Sequence, residues 1–392
     1  MLCHIVITSY TSEELATIQA EYNESSRRYE IMADIALIRK APDTIVIAGP
    51  GATVKVQNDT LAIIPGNTHK DMTAKVRNLY RGTHGIKHII VLSNKGYITF
   101  DALRWLSEQD INIMVIGDNT QVLLSLPSQH DPHAALRRAQ YLALETGYDL
   151  ELARVIVRVK TEEQIKMLKI LPSKHLTDKQ ARLHKRKKAR NKNFIPEDEA
   201  IWDEFEQGIE EIRYCKDMTA IRLVEARLAN SYWNYFIGLP IAWVIRDKNR
   251  VSPNWLYCSE RISSFSSNAN ASTAVNPWQA VTNYAYAICE AQCKQALLCQ
   301  GFDVSCGFLH ADLMHRDSLV FDLIELHRSQ TDALVYDMFS RLTLSKGDFM
   351  TSKAGECRMS PQFARYVAST ARLPHTAIDA SAVWLKSLLL NG

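Results

Sequence analysis

Residues 304–328 carry three histidines, four carboxylates and two arginines on a continuous apolar skeleton. A Gly-Phe-Leu turn presents His310. After a short polar segment, Leu319, Val320, Leu323, Ile324 and Leu326 recur at helical spacing. On that helix Asp322 and Glu325 stand three apart, which predicts carboxylates on one face, about 5–6 Å apart at Cβ. An imidazole on a turn beside such a pair suits a hard or borderline divalent ion with positions left open for substrate. The competing reading is an amphipathic helix with a solvated acidic face.

A third carboxylate lies upstream, in the helix expected over 217–235. Ile221, Val224, Leu228 and Ser231 or Tyr232 form its core stripe, and Glu225 stands next to that stripe with small Ala226 and Ala229 nearby. Burying a carboxylate unpaired costs several kcal/mol. Glu225 therefore needs a partner, either an arginine or a metal ion shared with His310 and Glu325.

These groups must be positioned by a chain of 392 residues, too long for one ordinary domain. Its 46% hydrophobic and 23% charged residues permit substantial cores and exclude a disordered class. The net charge of +3 is a weak signal compared with how the charge is distributed. The eight cysteines form no Cys-x-x-Cys pair, and Cys289 and Cys293, four apart on an apolar helix, suit packing better than zinc. No signal peptide is evident, and no apolar run approaches the roughly 18 residues of a membrane span. A reducing cytoplasm is the expected location.

Short β-branched runs at 34–38, 44–47, 53–56, 61–64, 88–93, 97–100 and 111–116, with a last one ending at Leu126, alternate with turn chemistry. A small helix is expected over 101–106. This texture predicts a β-sandwich. Residues 1–30 are an extension, with 2–7 readable as a strand and 12–28 as a polar helix. Beyond the linker at 127–132, helices are expected over 134–146, 149–167, 197–211, 217–235, 277–299, 318–326 and 331–342. The predicted architecture is α+β and multidomain: an N-terminal β-sandwich domain over 1–128, an all-α catalytic domain over 129–345, and a C-terminal extension over 346–392. Within the extension, helices at 362–370 and 377–389 are joined through Arg372-Leu-Pro-His-Thr.

The stretch 174–192 carries nine Lys and Arg against one acid, Asp178. Arg182, Lys185, Arg186, Lys187, Lys188 and Arg190 are its candidate DNA contacts. Without interleaved aromatics it implies binding to the phosphate backbone rather than base stacking. A solvated helix face is the alternative. The Ser- and Asn-rich segment at 251–274 reads as a loop that orders on binding.

Four motifs in order give the chain its likeness: Val-Glu225-Ala-Arg-Leu-Ala-Asn-Ser-Tyr-Trp, Asn276-Pro277-Trp-Gln-Ala-Val-Thr-Asn283-Tyr284-Ala-Tyr-Ala, Gly307-Phe-Leu-His310, and Ser318-Leu-Val-Phe-Asp322-Leu-Ile-Glu325-Leu-His-Arg328. Behind a β domain containing Val91-Leu-Ser, this arrangement closely resembles the CRISPR-associated spacer-acquisition integrases, the "Cas-one" family, over about 31–342. The resemblance implies a manganese- or magnesium-dependent DNA integrase or endonuclease. Glu225, His310 and Glu325 match its metal ligands, and Asp322 matches its accompanying acidic position. Its reaction joins a DNA 3′-hydroxyl to a target phosphodiester and inserts new spacers into a CRISPR array. The expected partners are double-stranded DNA, a second copy of the chain and the small "Cas-two" protein. Arg261 and Arg328 join the candidate DNA contacts. The chain departs from the family at Leu326-His327, where a proline and an aromatic residue are usual, and before Asn276, where several arginines are usual. A transposon-end integrase (a casposase) would use the same site without the small partner. A catalytically silent DNA-binding scaffold is the third reading, and the intact Glu/His/Asp/Glu set argues against it.

Overall fold

The computed structural model describes residues 44–48, 51–66, 76–93, 95–117, 122–126, 133–171, 197–259, 274–310, 316–352 and 355–391. The expected extension at 1–30, the strand at 34–38, the basic stretch at 174–192 and residues 260–273 of the Ser/Asn-rich segment lie outside these residues.

The N-terminal part forms two sheets. In the first, β2 (Ala52–Gln57) pairs antiparallel with β3 (Thr60–Ile64), which pairs with β4 (Arg77–Leu79), while β6 (Gly96–Ile98) adds parallel to β2. Asn58 and Asp59, both at positive φ, make the tight turn whose twist matches a two-residue hairpin. The second sheet has the order β1 (Thr44–Ala48), β5 (His88–Leu92), β7 (Asn112–Ile116), β8 (Val122–Leu126). Its first three strands are parallel, and only β8 runs antiparallel. Helix α1 (Phe100–Glu108), capped by the Thr99 hydroxyl, links β6 to β7 and buries Trp105 and Leu106.

The structure corrects the expected architecture of the β-rich part. It is not a plain sandwich, because the second sheet is mostly parallel and is buried on both faces. Ile45, Ile47, Ile89 and Ile113 face a small core shared with Val54, Leu61, Ile63 and α1. The alternate residues Ile90, Leu92, Met114 and Ile116 belong to the main core of the helical part. Strands covered on both sides read as continuous apolar runs without polar alternation, which is why His-Ile-Ile-Val-Leu carries no outward-facing pattern. A hairpin of β9 (Phe349–Thr351) and β10 (Cys357–Met359) falls within the expected C-terminal extension over 346–392.

The helical part comprises α2 (Ala134–Thr146), α3 (Tyr148–Ile170), α4 (Glu197–Tyr214), α5 (Met218–Phe236), a short α6 (Ile245–Lys248), α7 (Pro277–Gln300), α8 (Ser318–Glu325), α9 (Arg328–Arg341), α10 (Pro361–Thr370) and α11 (His375–Asn391). Helix α7 is its axis. The Asn276 side chain caps it, Pro277 opens it and Gly301 closes it in the left-handed region. Apolar residues occur all round α7, so it is buried on every side. Helices α10 and α11 are fully integrated: Val367, Ala368, Ile378, Ala382 and Leu385 enter the main core, with α11 against α7 and α2, and α10 against β1. Part of the Ser/Asn-rich segment is also ordered, since Trp255 and Cys258 are buried and Trp255 stacks on Trp243. No helix among the described residues is long and apolar enough to cross a membrane.

At the joint between sheet and helices, the His88 and His375 rings stack with centroids 3.2 Å apart. Burial, then the neighbouring His88 and Arg372, push His375 down to about 2. His375 therefore stays neutral in the fold, while the unfolded chain takes up a proton below about pH 6.5. Stability is full above that pH and declines on acidification, by up to about 1.4 kcal/mol per pH unit from this group. Melting temperatures measured from pH 7.5 to 5 should fall, and the slope should be shallower in His375→Gln. An unchanged slope in that variant would assign the acid sensitivity elsewhere.

Candidate active site

Three helices bring the chemistry together. The buried stripe of α3 runs Ile156, Val157, Lys160, Thr161, Gln164, Met167 and Leu168, so the helical period itself turns Lys160 inward. Helix α5 starts at Asp217, whose carboxylate accepts the Ala220 N–H at 2.8 Å, and buries Ile221, Leu228 and Tyr232. That phase leaves Glu225 at the margin of the core with its side chain 25% exposed. Helix α8 is short, apolar and buried on nearly every side, so Asp322 and Glu325 are both interior.

The two α8 carboxylates have different partners. Asp322, fully buried, accepts the backbone N–H groups of Phe308, Leu309 and His310 at 2.5, 3.0 and 3.0 Å. It also accepts from His310 Nδ1 at 2.7 Å. Asp322 thus builds the 307–310 turn and fixes the imidazole, leaving Nε2 as the ring nitrogen with a lone pair to offer. Gly307 permits the close seating of this turn, since a Cβ there would stand 2.7 Å from Ser318 Cβ and 2.8 Å from the His310 carbonyl oxygen. Arg222 ties the turn to α5 by donating from Nε and Nη2 to the Leu309 carbonyl at 3.0 and 2.6 Å.

Glu325 faces the cations instead. Its Oε1 accepts from Arg328 Nε at 2.7 Å, and its Oε2 pairs with Lys160 Nζ at 2.6 Å. The same ammonium donates to Glu225 Oε1, so one buried cation joins α3, α5 and α8. Burial opposes the Glu325 charge, but Arg328 and Lys160, with His310 close by, hold its carboxyl down at about 2. Arg328 also lies over the Tyr286 ring, 4.9 Å from its centroid. Beneath it Asp332 accepts from Tyr286 Oη at 2.6 Å and from Tyr232 Oη at 2.8 Å. The adjacent His327 is buried and pushed down to about 4, so it stays neutral at physiological pH.

The structure therefore gathers Glu225, His310, Asp322 and Glu325 in one region, with Asp322 in a positioning role one step behind His310. Arg328, expected among the DNA contacts, is instead paired with Glu325. The residue that sequence reasoning missed is Lys160, whose available signal was a lysine inside the apolar stripe of α3. The candidate DNA contacts Arg182, Lys185, Arg186, Lys187, Lys188, Arg190 and Arg261 lie outside the described residues. Two carboxylates and an imidazole nitrogen fit manganese or magnesium in donor type. Among the described residues no group of three or more His, Cys, Asp or Glu side chains stands ready to hold a metal ion. The cation that the carboxylates share is the Lys160 ammonium.

Comparison with known proteins matches the chain to one family. The family model described as CRISPR associated protein Cas1 matches residues 45–371. CRISPR-associated protein Cas1 3 of Methanobrevibacter ruminantium is 29% identical over 264 residues, 66% of this chain and 69% of the relative. CRISPR-associated endonuclease Cas1 1 of Archaeoglobus fulgidus is 27% identical over 256 residues, 65% of this chain and 68% of the relative. Among solved structures, a casposase bound to integration product superposes with a TM-score of 0.69 at 20% identity, over 89% of this chain and 91% of the other, a likeness of fold.

If Asp322 holds the turn, Asp322→Ala leaves three backbone donors without their acceptor and should cost about 3–5 kcal/mol in urea unfolding. Asp322→Asn keeps an acceptor oxygen and should cost less. A loss below about 1 kcal/mol in the alanine variant would show that the turn is held by other interactions.

Proposed function

The chain belongs to the CRISPR-associated Cas1 family, and on that premise we propose that it is a divalent-metal-dependent DNA integrase acting at Glu225, His310 and Glu325. The observation that carries this reading is the convergence of two carboxylates, from α5 and α8, on one cationic point beside an imidazole of fixed orientation.

In the proposed reaction a DNA 3′-hydroxyl oxygen forms a bond to the phosphorus of a target phosphodiester. The bond from that phosphorus to the target's 3′-oxygen breaks, and this oxygen leaves as a new 3′-hydroxyl. One phosphodiester replaces another, so no external energy source is needed. A manganese or magnesium ion held by Glu225, Glu325 and His310 Nε2 would supply Lewis acidity to the attacking hydroxyl and offset charge on the phosphorane-like oxygens. The remaining work belongs to the protein. Asp322 keeps His310 in the tautomer that presents Nε2. Arg328 keeps Glu325 ionised and directed, with Tyr286 and Asp332 supporting the guanidinium.

Double-stranded DNA is the proposed substrate, bound through its phosphates by the basic residues Arg182, Lys185, Arg186, Lys187, Lys188 and Arg190, with Arg261 as a further contact. Spacer insertion into a CRISPR array as a homodimer, with the small Cas-two protein, is the proposed setting.

The reading is tested by strand transfer of a labelled duplex with free 3′-hydroxyls into supercoiled plasmid in manganese, with and without the small partner. Glu225→Ala, His310→Ala and Glu325→Ala should each lower joined product by at least about 100-fold while circular dichroism stays native. Full product from any one of them would remove that residue from the site. Replacing Lys185, Arg186, Lys187 and Lys188 by Gln should flatten the slope of log affinity against log salt by about 0.9 for each phosphate no longer neutralised. An unchanged slope would make the stretch a solvated face.

A further inference from the structure

We propose that Lys160 is a built-in placeholder cation: its ammonium holds Glu225 and Glu325 together in the ion-free protein, must withdraw when a divalent ion binds, and so sets the ion concentration at which the site loads. This inference rests on the metal-dependent reading of the site and extends it to a residue outside the carboxylate and imidazole set.

The argument begins with the oxygens. Glu325 Oε1 is already taken by Arg328 at 2.7 Å, and Oε2, the oxygen left for an ion, is the one that Lys160 Nζ pairs with at 2.6 Å. On the facing helix the same ammonium takes Glu225 Oε1. Asp322 has its own donors in the 307–310 turn and offers no alternative carboxylate. Ion and ammonium therefore compete for Glu325 Oε2 and for the same pair of carboxylates.

Charge balance leads to the same exchange. Two carboxylates against Lys160 and Arg328 sum to zero, a neutral cluster that interior packing tolerates. Adding a divalent ion without moving Lys160 would place like charges side by side at low dielectric, where repulsion is strongest. The flexible stem of a lysine lets its compact ammonium move away while α3 stays seated, which the rigid fork of an arginine would not allow. In the ion-free state the ammonium has the opposite effect. It keeps two carboxylates on separate helices from repelling, so the pocket is preformed before loading. The 5% exposure of Lys160 places this interaction inside the fold, where screening by salt is weak.

Lys160 is thus a positioning residue with an opposing effect on ion affinity. A lysine that only supported the fold would, when removed, weaken ion binding or leave it unchanged. A placeholder would, when removed, strengthen it.

The experiment is calorimetric titration of manganese chloride into the full-length chain, native and as Lys160→Met, Lys160→Gln and Lys160→Arg, with Glu325→Gln as the site control. Circular dichroism and melting temperature would be recorded with and without the ion. Lys160→Met should bind manganese at least about tenfold tighter than native. It should melt lower without the ion and show a larger ion-induced rise. Lys160→Arg, which keeps the positive charge, should bind no tighter than native. If Lys160→Met does not fold, Lys160→Gln carries the same expectation with a polar group retained between the carboxylates. Manganese affinity equal to or weaker than native in folded neutral variants overturns the placeholder while leaving the metal site in place. No manganese binding by the native chain, or native affinity in Glu325→Gln, overturns the metal reading itself and this inference with it.

Discussion

The charge cluster at the meeting of α3, α5 and α8 constrains everything around it. Two carboxylates in a water-poor interior are tolerable only when their charge is matched, and here Lys160 and Arg328 supply the match. Each of the four groups comes from a different helix, so the cluster can exist only if α3, α5, α8 and α9 are docked in one arrangement. Central α7, buried on every side, packs against α8 and α9 and holds them in that arrangement.

Asp322 and Glu325 show how far identical chemistry can diverge over one helical turn. Both are buried carboxylates on α8, three residues apart. Asp322 points back to the turn that precedes its helix and accepts four donors there, which makes it an organiser of His310. Glu325, at the C-terminal end, meets side-chain cations from two other helices. Burial is common to both, so the partners separate their roles. The Tyr232–Asp332–Tyr286 network continues the same logic beneath Arg328, where each buried polar group has a hydrogen-bonding partner.

The mostly parallel sheet serves two cores at once. One face closes over α1 and the first sheet, and the other forms part of the wall of the helical core. The stacked pair His88–His375 lies on this shared surface, joining β5 to the last helix of the chain. The C-terminal helices α10 and α11 are therefore structural members of the helical part, with α10 resting on β1 and α11 on α7.

Much of this was legible in the residues alone. Helix positions over 134–146, 197–214, 218–236 and 277–300 follow from apolar period and from caps such as Asp217 and Asn276, because those signals are local. The expectation that His310 acts with Glu225 and Glu325 came from motif order, which the family resemblance carried. Three things depended on tertiary structure. Parallel pairing in β1, β5 and β7 has no local signature, since a two-sided burial pattern is an apolar run whichever neighbour it finds. The partner of Glu225 was open between an arginine and a metal, and Lys160 lies 65 positions away on another helix, at a distance that periodicity cannot bridge. The separate duties of Asp322 and Glu325 follow from what each meets across a helix packing. Local spacing determines which face a side chain takes, and only the docking of the helices decides which charge is waiting there.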